Sequence, residues 1–186
     1  MNTIKNIVLT ALLVGLFASC IEDQESPQEI FQKDLKKIED YLAQTDYQYI
    51  KKEQDPSSGI VILWDSLSYS GIDAQGADTL KVHYVGRLLD ETVFDTNVEA
   101  VARENGMYSS ERNYAPLEVF SQEYIQGFLF ALSKMEKGDR ARAIIPSAWA
   151  YGNREYSGRI PANSVLMFDL DMKDVIINEE EITTEE

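Results

Sequence analysis

One histidine and one cysteine, His83 and Cys20, bound the covalent and metal chemistry open to this chain of 186 residues. A nucleophile triad or a histidine-bearing metal centre needs arranged partners around such a group, and none is spaced around His83. A period of two along residues 79–89 puts Leu80, Val82 and Tyr84 on one face of a strand and Lys81, His83 and Val85 on the other. His83 is therefore expected at the surface, in a structural role. Asp169 and Asp171 share one strand face, alternating with Phe168, Leu170 and Met172. They read as a solvated sheet face, not as a metal site or a pair of glycosidase carboxylates. No glycine-rich phosphate loop occurs. What remains is an aromatic-rich set dispersed over several elements, including Tyr84, Phe94, Tyr124 and Phe128, with the carboxylate of Asp95 directly after Phe94.

Those residues need elements to carry them. Residues 47–52 and 60–67 read as strands separated by DPSSG, a turn cluster over residues 55–59. A second turn cluster, SGIDAQGAD, precedes the strand at 79–89. Phe94 and Asp95 follow a turn at 89–92, and Leu117 and Val119 mark another short strand. Tyr124, Ile125, Phe128, Leu129, Leu132 and Met135 keep helical spacing up to Gly138. RARAII at 140–145 is a strand ended by Pro146, and the last strand runs from Val165 to about residue 176. Strands, one helix, then strands again describe an α+β domain, an antiparallel sheet wrapped around one helix. Ahead of it, Phe31, Leu35, Ile38 and Leu42 recur at intervals of four, three and four. They define an amphipathic helix with Pro27 near its start and Lys36 and Lys37 on the opposite side. Packing onto its own domain is the expected use of its apolar stripe; a partner helix is the alternative.

With 44% apolar residues, the chain can bury the core of one ordinary domain with extensions. Its formal charge of -15 argues against nucleic acid, which needs basic surface to displace counterions. Five glutamates among residues 178–186 make that end an acidic, solvated tail. At the other end, Lys5, an apolar run over 7–17 and the small residues Ala18 and Ser19 precede Cys20. The run is too short for a membrane span and fits an export signal. Phe17-Ala18-Ser19-Cys20 resembles the bacterial lipobox, in which the cysteine is acylated; leucine is commoner at the place of Phe17. The expected organisation is a signal peptide at 1–19, a tether and amphipathic helix at 20–46, the main domain at 47–177 and the tail at 178–186. Lipidation at Cys20 would anchor the chain in the cell envelope, expected at the outer membrane, on its periplasmic or outward face.

Three segments, VHYVGRLLDETVFD at 82–95, AYG at 150–152 and IPANSVLMFDLD at 160–171, resemble in that order the core of FKBP-type peptidyl-prolyl cis/trans isomerases. The resemblance spans roughly residues 79–175. It implies an FKBP-like antiparallel sheet wrapped around one short helix, with the N-terminal helix as an extension. It further implies a pocket walled by Tyr84, Phe94, Ile125, Ile160 and Phe168 and floored by Phe128, with Leu117 and Tyr124 also binding substrate. Asp95 and the Tyr151 hydroxyl would be polar groups at the rim, acting with Tyr84 and Phe94 in catalysis, and the Ile125 N–H would receive a substrate carbonyl. A carboxylate set among Phe94, Tyr84 and Tyr151 is costly to bury for packing alone, which sets the group apart from a core that happens to be aromatic. Four positions depart from the family pattern. Leu117 replaces a common phenylalanine and Phe128 a common tryptophan, Tyr124 takes a usually aliphatic place, and Arg159 precedes Ile160 where an aliphatic residue is common.

The implied clients are proline-containing peptides or proteins, and macrolide inhibitors are implied as ligands. The implied reaction breaks no covalent bond and needs no metal or cofactor. An X-Pro bond rotates over a barrier of about 20 kcal/mol, taking tens of seconds unaided, and loses amide resonance at the twisted transition state. A dry aromatic box disfavours the planar amide more than the twisted one. The implied role is assistance to the folding of exported or envelope proteins. The alternative is a non-catalytic, lipid-anchored proline-binding scaffold or chaperone of an envelope assembly. Residues 96–115 form a longer stretch than compact members of the family have, mixing loop residues with Val101, Met107, Tyr108 and Tyr114. A flap or short helix beside the pocket mouth is expected there.

Overall fold

A computed structural model describes residues 25–120 and 123–177. The expected signal peptide, Cys20 and the acidic tail lie outside them. Among the described residues no helix is long and apolar enough to cross a membrane.

The first helix, α1 (Pro27–Gln44), begins at a reciprocal cap: the Ser26 hydroxyl accepts from the Glu29 N–H, and the Glu29 carboxylate accepts from the Ser26 N–H. Proline at its first position costs no helical hydrogen bond. The strands follow as β1 (Lys51–Gln54), β2 (Val61–Ser66), β3 (Thr79–Leu88) and β4 (Val93–Thr96). Next come a short helix α2 (Glu99–Glu104), β5 (Leu117–Val119), α3 (Gln126–Leu132), β6 (Arg140–Ile145), a 3-10 turn (Ser147–Trp149) and β7 (Leu166–Ile176). All pairings are antiparallel, in the order β1-β2-β6-β7-β3-β4, with β5 also paired to β3. The expected α+β class and sheet therefore stand.

Both faces of the sheet are covered, and side-chain alternation divides them. Ile62 and Trp64 of β2 join Val82, Phe128, Leu132, Ala143, Phe168 and Leu170 in the core on the α3 side. Val61 and Leu63 point the other way, onto Ile38 of α1 with Ile144 and Met167. Helix α1 thus packs on its own domain. This second buried face explains why residues 60–64 form an uninterrupted apolar run.

Several boundaries differ from those the sequence suggests. Strand β1 begins only at Lys51; Tyr47 instead lies with its ring 4.3 Å from the Arg142 guanidinium. Helix α3 has only seven residues: Ile125 is its N-cap and Met135 sits in the turn after it. Turn residues packed in the same core as a helix mimic its spacing. Asp169 is not on an open face. It receives Arg142 Nε at 2.6 Å and Arg87 Nε at 2.9 Å, and Arg142 also reaches Glu91 and the Tyr41 hydroxyl of α1. A guanidinium only 7% exposed requires such bonding. Asp171 keeps the expected solvent-side character, paired with Lys173. Lys37 does not simply face away from the domain, since it bonds Asp34 and the Asn163 carbonyl.

Candidate active site

The ten pocket residues implied by the resemblance line one cavity of about 840 Å³. Tyr84 comes from β3, Phe94 and Asp95 from β4, Leu117 from β5, and Tyr124, Ile125 and Phe128 from the start of α3. Tyr151 and Ile160 lie in the loop after the 3-10 turn, and Phe168 on β7. Glu123, Tyr156, Ser157 and Arg159 complete the lining.

The aromatic floor is built edge to face. Phe168 meets Phe128 at 5.1 Å and Phe94 at 5.6 Å between ring centroids, and Tyr84 meets Phe128 edge-on at 6.1 Å. Pairing of Gly86 with both Phe168 and Asp95 explains how Phe94 reaches this floor. A Cβ on Gly86 would lie 2.5 Å from the Phe94 ring, so only glycine leaves room for that ring against β3.

Above the floor, three polar side chains form a closed triangle. The Tyr84 hydroxyl donates to Asp95 Oδ2 at 2.6 Å, Arg112 Nη1 to Asp95 Oδ1 at 2.7 Å, and Arg112 Nη2 to the Tyr84 oxygen at 3.2 Å. Burial pushes the Asp95 carboxyl upward, but Arg112 and Tyr84 outweigh it and hold the group below the usual aspartate range. The Tyr84 phenol goes the other way, raised by burial and then by the carboxylate to which it donates. Tyr151 is pushed up to about 12, mostly by burial, with Tyr156 and Asp95 adding to it; its ring stacks on that of Tyr156 at 4.0 Å. All three acids thus hold one protonation state across the neutral range.

The remaining groups suit a peptide carbonyl. The Ile125 N–H donates to no acceptor among the described residues, while its carbonyl accepts from the Phe128 and Leu129 N–H groups that begin α3. His83 lies on the opposite sheet face and does not line this cavity; it is half-buried, and its Nδ1 has no partner among the described residues.

Residues 96–115 lie beside the cavity mouth, and they carry functional groups that pattern reading missed. They hold α2, followed by a segment packed on itself: Tyr108 and Tyr114 stack at 5.7 Å, and the Arg103 guanidinium sits 3.5 Å from the Tyr108 ring centre. Arg112 closes the triangle, and the Met107 sulfur accepts from Arg159 Nη1 at 3.0 Å. Asn97, 4% exposed, fastens the segment to β3: its Oδ1 accepts from the Tyr84 N–H, and its Nδ2 donates to the Val82 and Ala115 carbonyls. Neither Arg112 nor Asn97 carries a distinguishing signal in the sequence, because each finds its partners through the path of a loop.

Residues 71–173 match the family model for FKBP-type peptidyl-prolyl cis-trans isomerase. A probable FKBP-type peptidyl-prolyl cis-trans isomerase of Haemophilus influenzae is 30% identical over 125 residues, covering 67% of this chain and 46% of that protein. The macrophage infectivity potentiator of Trypanosoma cruzi is 40% identical over 95 residues, 51% of this chain and 42% of its own length. The chain thus spans less than half the length of these curated relatives. The crystal structure of FkpA from Escherichia coli shares the fold, with a TM-score of 0.58 at 24% identity, over 79% of this chain and 60% of that one.

Proposed function

The chain belongs to the FKBP-type peptidyl-prolyl cis-trans isomerase family, and from that premise we propose that its cavity binds X-Pro segments and speeds their cis/trans rotation. The observation that carries this reading is the Tyr84–Asp95–Arg112 triangle standing over an apolar, aromatic floor. The Asp95–Arg112 pair keeps contact with solvent on one side and fixes the Tyr84 hydroxyl at the edge of the aromatic floor on the other.

In this reading the prolyl ring rests on Phe128 and Phe168, with Tyr84 and Phe94 as walls. The Ile125 N–H and the Tyr151 hydroxyl orient the carbonyls flanking the rotating bond. The planar amide owes part of its stability to charge separation that water supports. Taking it out of water removes that support, and the twisted form, which has lost resonance, suffers less. Fixed dipoles of the triangle then act in a low dielectric without having to reorganise. No proton moves and no covalent bond breaks.

The finer setting is also our reading. Lipidation at Cys20 would place the domain in the cell envelope, on the outer membrane, where exported proteins fold; it rests on the apolar run and small residues before Cys20. Residues 96–115 would bias which clients enter, since Met107 and Arg112 contact the cavity rim. Macrolide inhibitors would compete for the same floor. A protease-coupled isomerisation assay on purified protein tests the central claim. Turnover that falls on Tyr84→Phe supports it. Peptide binding without turnover would leave the proline-binding scaffold.

A further inference from the structure

Helix α1 lies outside the stretch that carries the family match, yet it holds the loop that forms one side of the cavity. Asp34, 0% exposed, accepts from the Ser147 N–H at 2.9 Å, from the Ser147 hydroxyl at 2.5 Å and from Lys37 Nζ at 2.9 Å. Lys37 Nζ also donates to the Asn163 carbonyl at 3.2 Å. Ser147 opens the 3-10 turn that leads into Tyr151, and its carbonyl accepts from the Gly152 N–H at 2.9 Å. Asn163 closes the same loop, its N–H donating to the Gly152 carbonyl at 2.8 Å. Two side chains one helical turn apart therefore grip both ends of residues 147–163. From that loop Tyr151, Tyr156, Ser157, Arg159 and Ile160 enter the cavity lining.

Docking a helix onto a sheet does not need a carboxylate. Ile38 docks the helix on an apolar cluster and Tyr41 bonds Arg142 and Glu91 further along, so an apolar residue at position 34 would keep those contacts and avoid the desolvation that a fully buried carboxylate suffers. What the carboxylate adds is direction: Oδ2 takes both the N–H and the hydroxyl of Ser147 while Oδ1 holds Lys37, which sets the start of the 3-10 turn, and with it the backbone that presents Tyr151. We propose that Asp34, assisted by Lys37, is a positioning residue for Tyr151, and that α1 is part of the isomerase's working unit. This rests on the isomerase reading of the cavity.

The test uses the full chain carrying Asp34→Asn or Lys37→Met, each alone and combined with Tyr151→Phe. Amide hydrogen exchange at Gly152 and Asn163 reads the loop directly. We expect exchange there to rise about tenfold while amides of β6 and β7 keep their protection. On an X-Pro peptide, kcat/KM should fall about fivefold or more, through kcat, at temperatures where circular dichroism shows the fold intact. That fall should largely vanish in the Tyr151→Phe background, which a merely stabilising contact would not produce. Unchanged exchange at both amides overturns the proposal. So does a kcat/KM loss that simply multiplies with that of Tyr151→Phe. If Asp34→Asn does not fold, Lys37→Met and the conservative Asp34→Glu decide by the same criteria. If the wild-type chain has no turnover, the isomerase reading fails, and the exchange at Gly152 and Asn163 still decides whether α1 sets the loop.

Discussion

The Tyr84 hydroxyl and Asp95 Oδ2 are 2.6 Å apart although the two residues are not directly opposite each other on their paired strands: Asp95 pairs with Gly86, and Tyr84 reaches it diagonally. The diagonal runs past Gly86, where the Phe94 ring occupies the place of the missing side chain. It turns a core aromatic into the donor that fixes a rim carboxylate.

Removing either partner should therefore cost turnover without unfolding the domain. Tyr84→Phe and Asp95→Ala are each expected to lower kcat/KM about tenfold, near 1.4 kcal/mol of transition-state stabilisation. Their double mutant should fall short of the product, because both act through one hydrogen bond. A full product in steady-state assays would mean that they act separately.

Phe94 is 6% exposed and packs edge-on against Phe168. Phe94→Ala should cost about 3–5 kcal/mol of stability in urea melts, and activity as well. Gly86→Ala should also destabilise, since its Cβ would meet the Phe94 ring at 2.5 Å. A neutral Gly86→Ala would show that the ring has room to move.

The pH profile should be flat from about pH 5 to 9, because Asp95 is held below the ordinary aspartate value while Tyr84 and Tyr151 are held above theirs. The sign for stability follows from the same shift. A carboxyl depressed in the folded state contributes stability above its unfolded value, and that contribution is lost as pH falls through the folded one. The Asp95 contribution, and activity with it, should thus decline on the acid side, and activity should fall on the alkaline side only where the raised phenols of Tyr84 and Tyr151 ionise. His83→Ala should leave kcat/KM unchanged; a loss of turnover on that substitution would instead place His83 in the mechanism.

Shortening the stretch between Val98 and Glu111, with Asn97 and Arg112 kept, should change the ranking of protein substrates and of peptides that differ beside proline. Turnover of a minimal peptide should survive. An unchanged ranking with an intact fold would make the segment a surface insertion, which loop-closure entropy tolerates at little cost.

Cys20→Ser should leave an unprocessed precursor whose membrane fractionation differs from that of the parent. Normal processing and fractionation would exclude lipidation at that residue.

The motifs at 82–95, 150–152 and 160–171 carried the family resemblance, and that resemblance implied the ten residues found around the cavity; strand periodicity and the order of elements, which are local properties that sequence records directly, gave the α+β class. The sheet and the limits of β6 were legible for the same reason. Four decisive relationships were not. Arg112 on Asp95, Asn97 across β3, Asp34 under Ser147 and Arg142 on Asp169 each join groups far apart in the chain. A charged or amide side chain reads alike in sequence whether it is solvated or buried. Only the tertiary structure, by removing water and bringing a complementary group within about 3 Å, determines which of these side chains pair and which stay solvated.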